Sequence, residues 1–432
     1  MIKTKKYSII LLVLFTISFN VKGQDNTLSL SDALQKALEN NYGIIISESE
    51  TEIAEINNNW GTAGRYPNIG ISATSSNNSD IINNSSTNRL YGGAALNWTL
   101  FDGFRVNTTK AKLEKLETLA KGRSAVVVEN TIQNVVLGYY NVLLQKEQLL
   151  VLKRVMSLSR DRYDYEIMRR DLGNALTYNV LQAKNIYLED SSAYLNQKVV
   201  VRNSIRNLNF VLGEEPFTTW DFNQSFNPDT TNYKLGDLVN KMLSNNQTLQ
   251  NQYANLLLQQ DEIKLKESAL YPSVRLSTGV DNTWSRMNNK GISPTTNEAV
   301  TPYGNLTLSY DLYTGGTRKR AIQVAKINEE ITQVETEQMK HSLTNQLYNE
   351  YELYNARKTL LNVADENIEA AELNLEIANS KFKTGAINSF NYRDIQLIYV
   401  NAALQRIRAI YNLIESNTKL TRITGGFLNE EE

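Results

Sequence analysis

Most of this chain is written twice, and that duplication limits what it can fold into. The stretch LSDALQKALENN (30–41) returns as LGDLVNKMLSNN (235–246), at an offset of 205 residues. RYPNIGIS (65–72) returns as LYPSVRLS (270–277) at the same offset. LNWTLFDG (96–103) then matches LSYDLYTG (308–315) at an offset of 212. DLGNALTYN (171–179) with KTGAINSFN (383–391), and FVLGE (210–214) with RITGG (422–426), keep that second offset. It changes once, by seven residues, inside NNSDIINNSSTN in one copy and SRMNNKGISPTTNEAVTP in the other. Both stretches read as polar loops. From Gly103 to Gly213 and from Gly315 to Gly425 the spacing is 110 residues. An insertion inside a helix would rotate every later face, whereas a surface loop absorbs one. Two like structural repeats follow, residues 24–213 and 235–432, joined by a linker at 214–234.

Each repeat reads helix, strand, strand, long helix, helix. The first helix spans about Ser31 to Ala63, with Ser31 as a cap and Asp32 favouring the N-terminus. After Pro67 the sequence alternates, with Ile69, Ile71 and Ala73 on one face, then Ala94, Leu96, Trp98 and Leu100. The second copy does the same with Val274, Leu276, Thr278 and Val280, then Leu306, Leu308, Tyr310 and Leu312. Asn97, Thr99, Thr307, Ser309 and Asp311 take the opposite faces. Period-two alternation predicts half-buried strands, at about 66–79, 89–101, 271–285 and 301–313. Residues 107–169 carry Leu113, Leu116, Val128, Ile132, Val135, Tyr139, Val142, Leu149, Leu152 and Met156, mostly three and four apart. A helix of that length spans roughly 90–100 Å, which implies a coiled-coil-like bundle. A shorter helix, about 174–212, follows it. Between 214 and 234, Trp220, Phe222, Phe226 and two prolines predict a packed, non-helical segment.

The first residues predict export. Lys3, Lys5 and Lys6 precede an apolar run from Ile9 to Phe19, and Val21 and Gly23 fit a cleavage site. Residues 1–23 therefore read as a secretory signal peptide, too short in its apolar core to span a bilayer. Without Lys3, Lys5, Lys6 and Lys22, 41 basic and 46 acidic residues leave a formal charge of −5. That balance does not suit a nucleic-acid partner. The chain has no cysteine and one histidine, His341, so disulfides, thiol chemistry and histidine-rich metal sites are excluded. TGGTR (314–318) lacks the spacing and lysine of a phosphate loop and reads as a strand-to-helix turn. No enzymatic constellation, cofactor site or metal site is expected.

Four amphipathic strands in an exported chain suit a membrane barrel, apolar outside and wet inside. Four do not close one; three chains supply twelve. A threefold axis would also gather the helices into a hollow cylinder. Tyr66, Trp98, Phe101, Phe104, Tyr271, Trp284, Tyr303 and Tyr313 fall at strand ends, as aromatic girdles do. The expected fold is thus an α+β membrane protein. It is a homotrimeric twelve-stranded β-barrel, four strands per chain, continuous with a long α-helical coiled-coil barrel. The alternative is a soluble or surface-attached structural coiled-coil trimer without transport activity, which leaves those strands without a partner.

In the paired LSDALQKALENN-type starts, the YP strand entrances, LNWTLFDGFR and LSYDLYTGGTR at the strand exits and the two glycine-centred turns, the sequence resembles the TolC family of outer-membrane efflux proteins. The resemblance covers essentially the whole chain after residue 23. It implies a trimeric channel in the cell outer membrane, with its helical tunnel in the periplasm. Its partners would be outer-membrane lipid, a periplasmic adaptor (membrane fusion) protein and an inner-membrane RND or ABC transporter. Multidrug efflux and type I secretion share such an outer component. The linker at 214–234 would lie in an equatorial belt. Gly173 and Gly385 would make the turns at the periplasmic helix tips, where Leu172, Gly173, Thr384 and Gly385 would dock the adaptor. Aligned on Gly385, the family's closing tyrosine, arginine and two acids fall on Phe382, Ile387, Asn391 and Asp394. Asn179 takes the equivalent first-copy position. On that alignment the gate is held by Phe382 and Ile387 packing, and Asp394 alone keeps an acid for a cation-binding ring.

Overall fold

The computed structural model describes residues 27–429; the predicted signal peptide lies outside the described residues. In each copy the opening helix is two helices: α1 (Leu30–Asn40) and α2 (Tyr42–Asn57), then α5 (Leu235–Asn245) and α6 (Gln247–Glu267). An asparagine makes each break. Asn41 Oδ1 accepts the N–H groups of Gly43 and Ile44 at 2.9 and 3.3 Å, and Asn246 Oδ1 accepts that of Leu249 at 2.9 Å. These caps satisfy donors that a continuing helix would not leave open. Between these pairs the first copy adds strands β1 (Asn68–Asp80) and β2 (Ser85–Asp102), helix α3 (Arg105–Asp171) and helix α4 (Thr177–Leu212). After α6 the second copy adds β3 (Ser273–Asn289), β4 (Ile292–Ser309), α7 (Thr317–Lys383), α8 (Ser389–Ile423) and the short α9 (Gly426–Asn429). Helices α3 and α7 are each 67 residues long.

The strands form one antiparallel sheet in the order β1-β2-β3-β4, so β2 and β3 join the two copies. Several boundaries differ from expectation: β2 begins at Ser85 rather than 89, and β3 runs to Asn289 rather than 285. Ile292–Val300, read as loop, is strand, because Lys290 and Gly291 make a tight turn at a left-handed glycine (φ 82°) and pairing resumes at Asn289↔Ile292. Polar side chains do not interrupt a ladder whose bonds are all main-chain. Strand β4 also stops at Ser309 rather than 313, where Arg318 Nη1 donates to the Asp311 carbonyl at 2.9 Å and turns the chain toward α7.

Register gathers the apolar positions on one face. Ile69 pairs with Leu96; Ile71, Ala94, Val280 and Pro302 form one row; Trp98 meets Leu276, and Leu276 meets Leu306. This face is bare: Ile71 is 87% exposed and Leu306 68%. It runs from Val274 to Trp284 before Arg286 and Asn88 take over. Ten residues of strand at a tilt of about 40° rise roughly 25 Å, the height of a lipid-facing band. The other face carries Ser72, Asp281 and Thr301 in one row and Thr74, Tyr91 and Thr283 in the next. Tyr91 Oη donates to Asp281 Oδ1 at 2.6 Å.

The chain separates into two compact units. One comprises residues up to Glu39, Val135–Pro228 and Ala364–Tyr411. Its core holds Leu28, Ala33, Ala37, Tyr139, Leu208 and Leu212. Tyr139 Oη donates to the Leu28 carbonyl at 2.9 Å, and its ring meets Phe222 of the linker at 5.3 Å. Trp220 Nε1 donates to Asn209 Oδ1 at 2.7 Å, so the linker is tied to the end of α4. The other unit, Asn40–Asn134, Asp229–Val363 and residues from Asn412 onward, holds the sheet. There Tyr354 Oη donates to the Thr231 carbonyl at 2.7 Å, and Asn246 Nδ2 to that of Ile423 at 2.9 Å. Also in this unit, Glu129 of α3 is buried, with Oε1 lacking a hydrogen-bond partner among the described residues.

Two predictions follow from the sheet and from Glu129. Val280→Lys on the apolar face should lower the unfolding free energy in lipid vesicles by roughly 2–4 kcal/mol, and Thr301→Lys on the polar face should not. Equal costs on the two faces would remove the lipid assignment. Burial pushes the Glu129 carboxyl up to about 7, with Arg422 pulling the other way. An acid whose folded pKa is raised binds its proton more tightly when folded. Its effect is therefore to lower stability as pH rises from about 4.5 to about 7, by roughly 3 kcal/mol at most. Glu129→Gln should flatten the fall in melting midpoint between about pH 5 and about pH 7.5. An unchanged fall in the variant would assign it to another group.

Candidate functional site

The long helices end in two turns of identical design, both in the unit without the sheet. After α3, the Gly173 N–H donates to the Arg170 carbonyl and that of Asn174 to the Arg169 carbonyl, both at 2.8 Å. After α7, Gly385 N–H reaches the Phe382 carbonyl at 3.0 Å and Ala386 N–H the Lys381 carbonyl at 2.8 Å. This paired closure requires a left-handed residue after the helix end, and Gly173 and Gly385 both have φ of 78°. Any L side chain there would meet its own carbonyl. Leu172, Gly173, Thr384 and Gly385 are all exposed at these turns, Leu172 at 69%. The cations before the turns serve the helix ends: Arg169 Nη2 donates to the Asn174 carbonyl at 3.1 Å. Tyr165 Oη donates to the Lys383 carbonyl at 3.3 Å, which brings the end of α3 to the end of α7.

The gate positions divide into two sets. Phe382 is only 4% exposed, stacked on Tyr392 at 4.8 Å and edge-on to Tyr165 at 5.3 Å. Ile387 packs against the same cluster, with Val155, Leu375 and Ala378. A ring already covered by its own chain is not available to meet copies of itself at an axis. Phe382 thus packs within its own chain and fixes the turn to the helices behind it. Asn391 and Asp394 are exposed, one helical turn apart on α8, in line with exposed Ile398. Among the described residues Asp394 has no hydrogen bond or ion pair. Asn388 Oδ1 accepts the Asn391 N–H at 2.9 Å, so Asn391 takes part in the cap of α8 by its backbone. Asn179 is half-buried in the first turn of α4, and no hydrogen bond joins it to Asn391 or Asp394.

A buried polar cluster lies behind the turns, and its residues were not among the expected ones. Arg393 holds Asp190 with two bonds of 2.9 Å, pinning α8 to α4. Ser159 Oγ of α3 donates to the same carboxylate. Arg162 and Glu166 continue the buried stripe of α3, and Gln396 that of α8; all three have buried polar atoms without hydrogen-bond partners among the described residues, although Arg169 lies 3.7 Å from Glu166 Oε1. Burial first, and then the Arg393 charge, lower the pKa of the Arg162 guanidinium. The signal in the sequence was polar residues at stripe positions: Val155, Ser159, Arg162, Glu166 on one helix and Tyr392, Gln396, Tyr399 on the other.

Among the described residues no His, Cys, Asp and Glu group could hold a metal ion. The arrangement offers exposed turns for contact, the exposed carboxylate of Asp394, and a pinned pair of helices beneath them. Arg393→Ala should cost about 3–5 kcal/mol by leaving Asp190 buried and unpaired. Arg393→Met with Asp190→Leu should recover most of it. A double variant as unstable as the single one would show that the pair does more than satisfy itself.

A family model described as outer membrane efflux protein matches residues 33–214 and 238–426, one segment in each repeat. The solved structure of the CusC channel superposes with a TM-score of 0.76 at 15% identity, over 95% of this chain and 96% of that one. The Campylobacter jejuni CmeC outer membrane channel does so at 0.74 and 18% identity, over 93% and 87%. The Vibrio cholerae outer membrane protein VceC gives 0.72 at 12%, over 92% and 96%. At these identities the likeness carries the fold. No curated protein matches the chain.

Proposed function

Because the chain belongs to the outer membrane efflux protein family, we propose that it is the outer-membrane duct of a tripartite export system, assembled from three copies. The observation that carries this reading is the sheet: an exposed apolar face of membrane height, a polar opposite face, and open edges at β1 and β4. Three copies close these edges into twelve strands with lipid outside and water inside. The long helices then line a periplasmic tunnel, with the linker at 214–234 as a belt around it. Conduction is passive. The driving energy comes from an inner-membrane RND or ABC transporter, through a periplasmic adaptor that docks on Leu172, Gly173, Thr384 and Gly385. A structural coiled-coil trimer would leave Ile69, Ile71, Leu306 and Leu308 in water, and an apolar patch of that extent marks an interface.

At the tunnel's end, Asp394 and Asn391 face the axis from three copies, and three Asp394 carboxylates form an anionic ring that admits or holds cations. Phe382, buried, and Ile387, half-buried, brace the turn from behind, which supports a closing surface on α8. Purified protein in planar bilayers should conduct and favour cations. Asp394→Ala should reduce that preference and the block by divalent cations. Conduction with unchanged selectivity in Asp394→Ala would remove the ring and keep the duct, whereas no conduction by the wild type would remove the duct.

A further inference from the structure

A second charged site lies beneath the sheet. A cleft of ≈590 Å³ is bounded by the ends of β2, β3 and β4, the start of α3 and the end of α6. Its volume is that of a small-solute site. Thr99, Arg275 and Thr307 lie in one register row on the sheet's polar face, and Thr99 and Arg275 line the cleft. It therefore opens away from the lipid-facing side chains. Five cations and three carboxylates line it. Each carboxylate is already engaged. Asp102 takes Arg105 at 3.2 Å, and its other oxygen accepts the Val106 N–H at 3.3 Å. Asp311 holds Arg318. Glu262 is shared by Lys112 at 2.8 Å and Lys266 at 3.1 Å, and Lys112 above all keeps its pKa below the ordinary value.

Two positive charges are left over. One belongs to the lysine pair that shares a single carboxylate. The other is Arg275, which is exposed and whose side chain has no hydrogen bond or ion pair among the described residues. A guanidinium presents a planar fork of donors that fits the oxygens of phosphate or carboxylate in pairs. β2 is bulged directly beside it, where the register shifts between Thr99 and Phe101. Bulges of this kind open a ladder next to functional side chains.

From this geometry we infer that the cleft binds the oxyanion of a transported solute, a phosphate or carboxylate group, with Arg275 as its principal contact. The placement of that solute in the water path rests on the duct reading; the binding itself does not.

Calorimetric titration of the full-length protein in neutral detergent with inorganic pyrophosphate tests this without requiring conduction. The wild type should bind. Arg275→Gln should weaken binding roughly tenfold, the loss of about one charge-assisted contact. Arg275→Lys should retain most of it. Arg275 is unpaired and exposed, so its replacement leaves the fold intact, which the melting midpoint checks. Equal affinity in wild type and Arg275→Gln would overturn the assignment, as would no heat with pyrophosphate. Heat from phosphatidylglycerol vesicles alone would also overturn it, in favour of a lipid headgroup. Binding by a protein that fails to conduct in bilayers would keep the site and remove the duct.

Discussion

The hydrogen-bonding edges of the sheet govern the rest of this protein. β1 offers 13 residues and β4 18 residues with one side of the main chain unpaired within the chain. In water such edges invite indiscriminate pairing, and in lipid each orphaned group costs several kcal/mol. β4 is interrupted near its turn, where Pro294 sits at a shift of register, and again by Pro302, but from Thr295 to Thr301 and from Tyr303 to Ser309 it is unbroken, and β1 contains no proline or bulge. The apolar face adds a second demand, since it too is uncovered. Both would be met at once if copies of the chain paired β4 to β1 around an axis. The helices would share that symmetry, because each strand pair feeds directly into a 67-residue helix.

Duplication makes that economy possible. One hairpin per repeat gives four strands when β2 and β3 pair across copies. One long helix per repeat ends in the same glycine closure, with identical φ at Gly173 and Gly385. The copies differ where exposed chemistry is placed. Asp394 stands on the second copy's returning helix, while the first copy supplies the buried Asp190 that Arg393 grips from the second. One repeat thus supplies the surface and the other helps to anchor it.

Much of this was legible in the residues. Alternation at Ile69, Ile71, Leu96 and Trp98 marked strands and faces, because a period of two has few other meanings. Gly173 and Gly385 marked turns, because a left-handed helix stop selects glycine. The break at Asn41 was hidden, since an asparagine cap is local and the apolar period continues past it. Burial of Phe382 was hidden for a different reason. Whether a ring faces an axis or its own bundle depends on Tyr165 and Tyr392, and Tyr165 is more than 200 residues away in the chain. Asp190 and Arg393 are likewise 203 residues apart, and no local pattern joins them.

The central claim is that β4 of one chain pairs with β1 of the next. The chain has no cysteine, so single cysteines can be placed without background. One cysteine in β4 at Leu306, combined in turn with cysteines along β1 from Asn68 to Thr74, can be oxidised in outer membranes and resolved on denaturing gels. One register should yield covalent dimers and trimers that stop at three chains. Monomers at every register, or a ladder that continues past three, would contradict it.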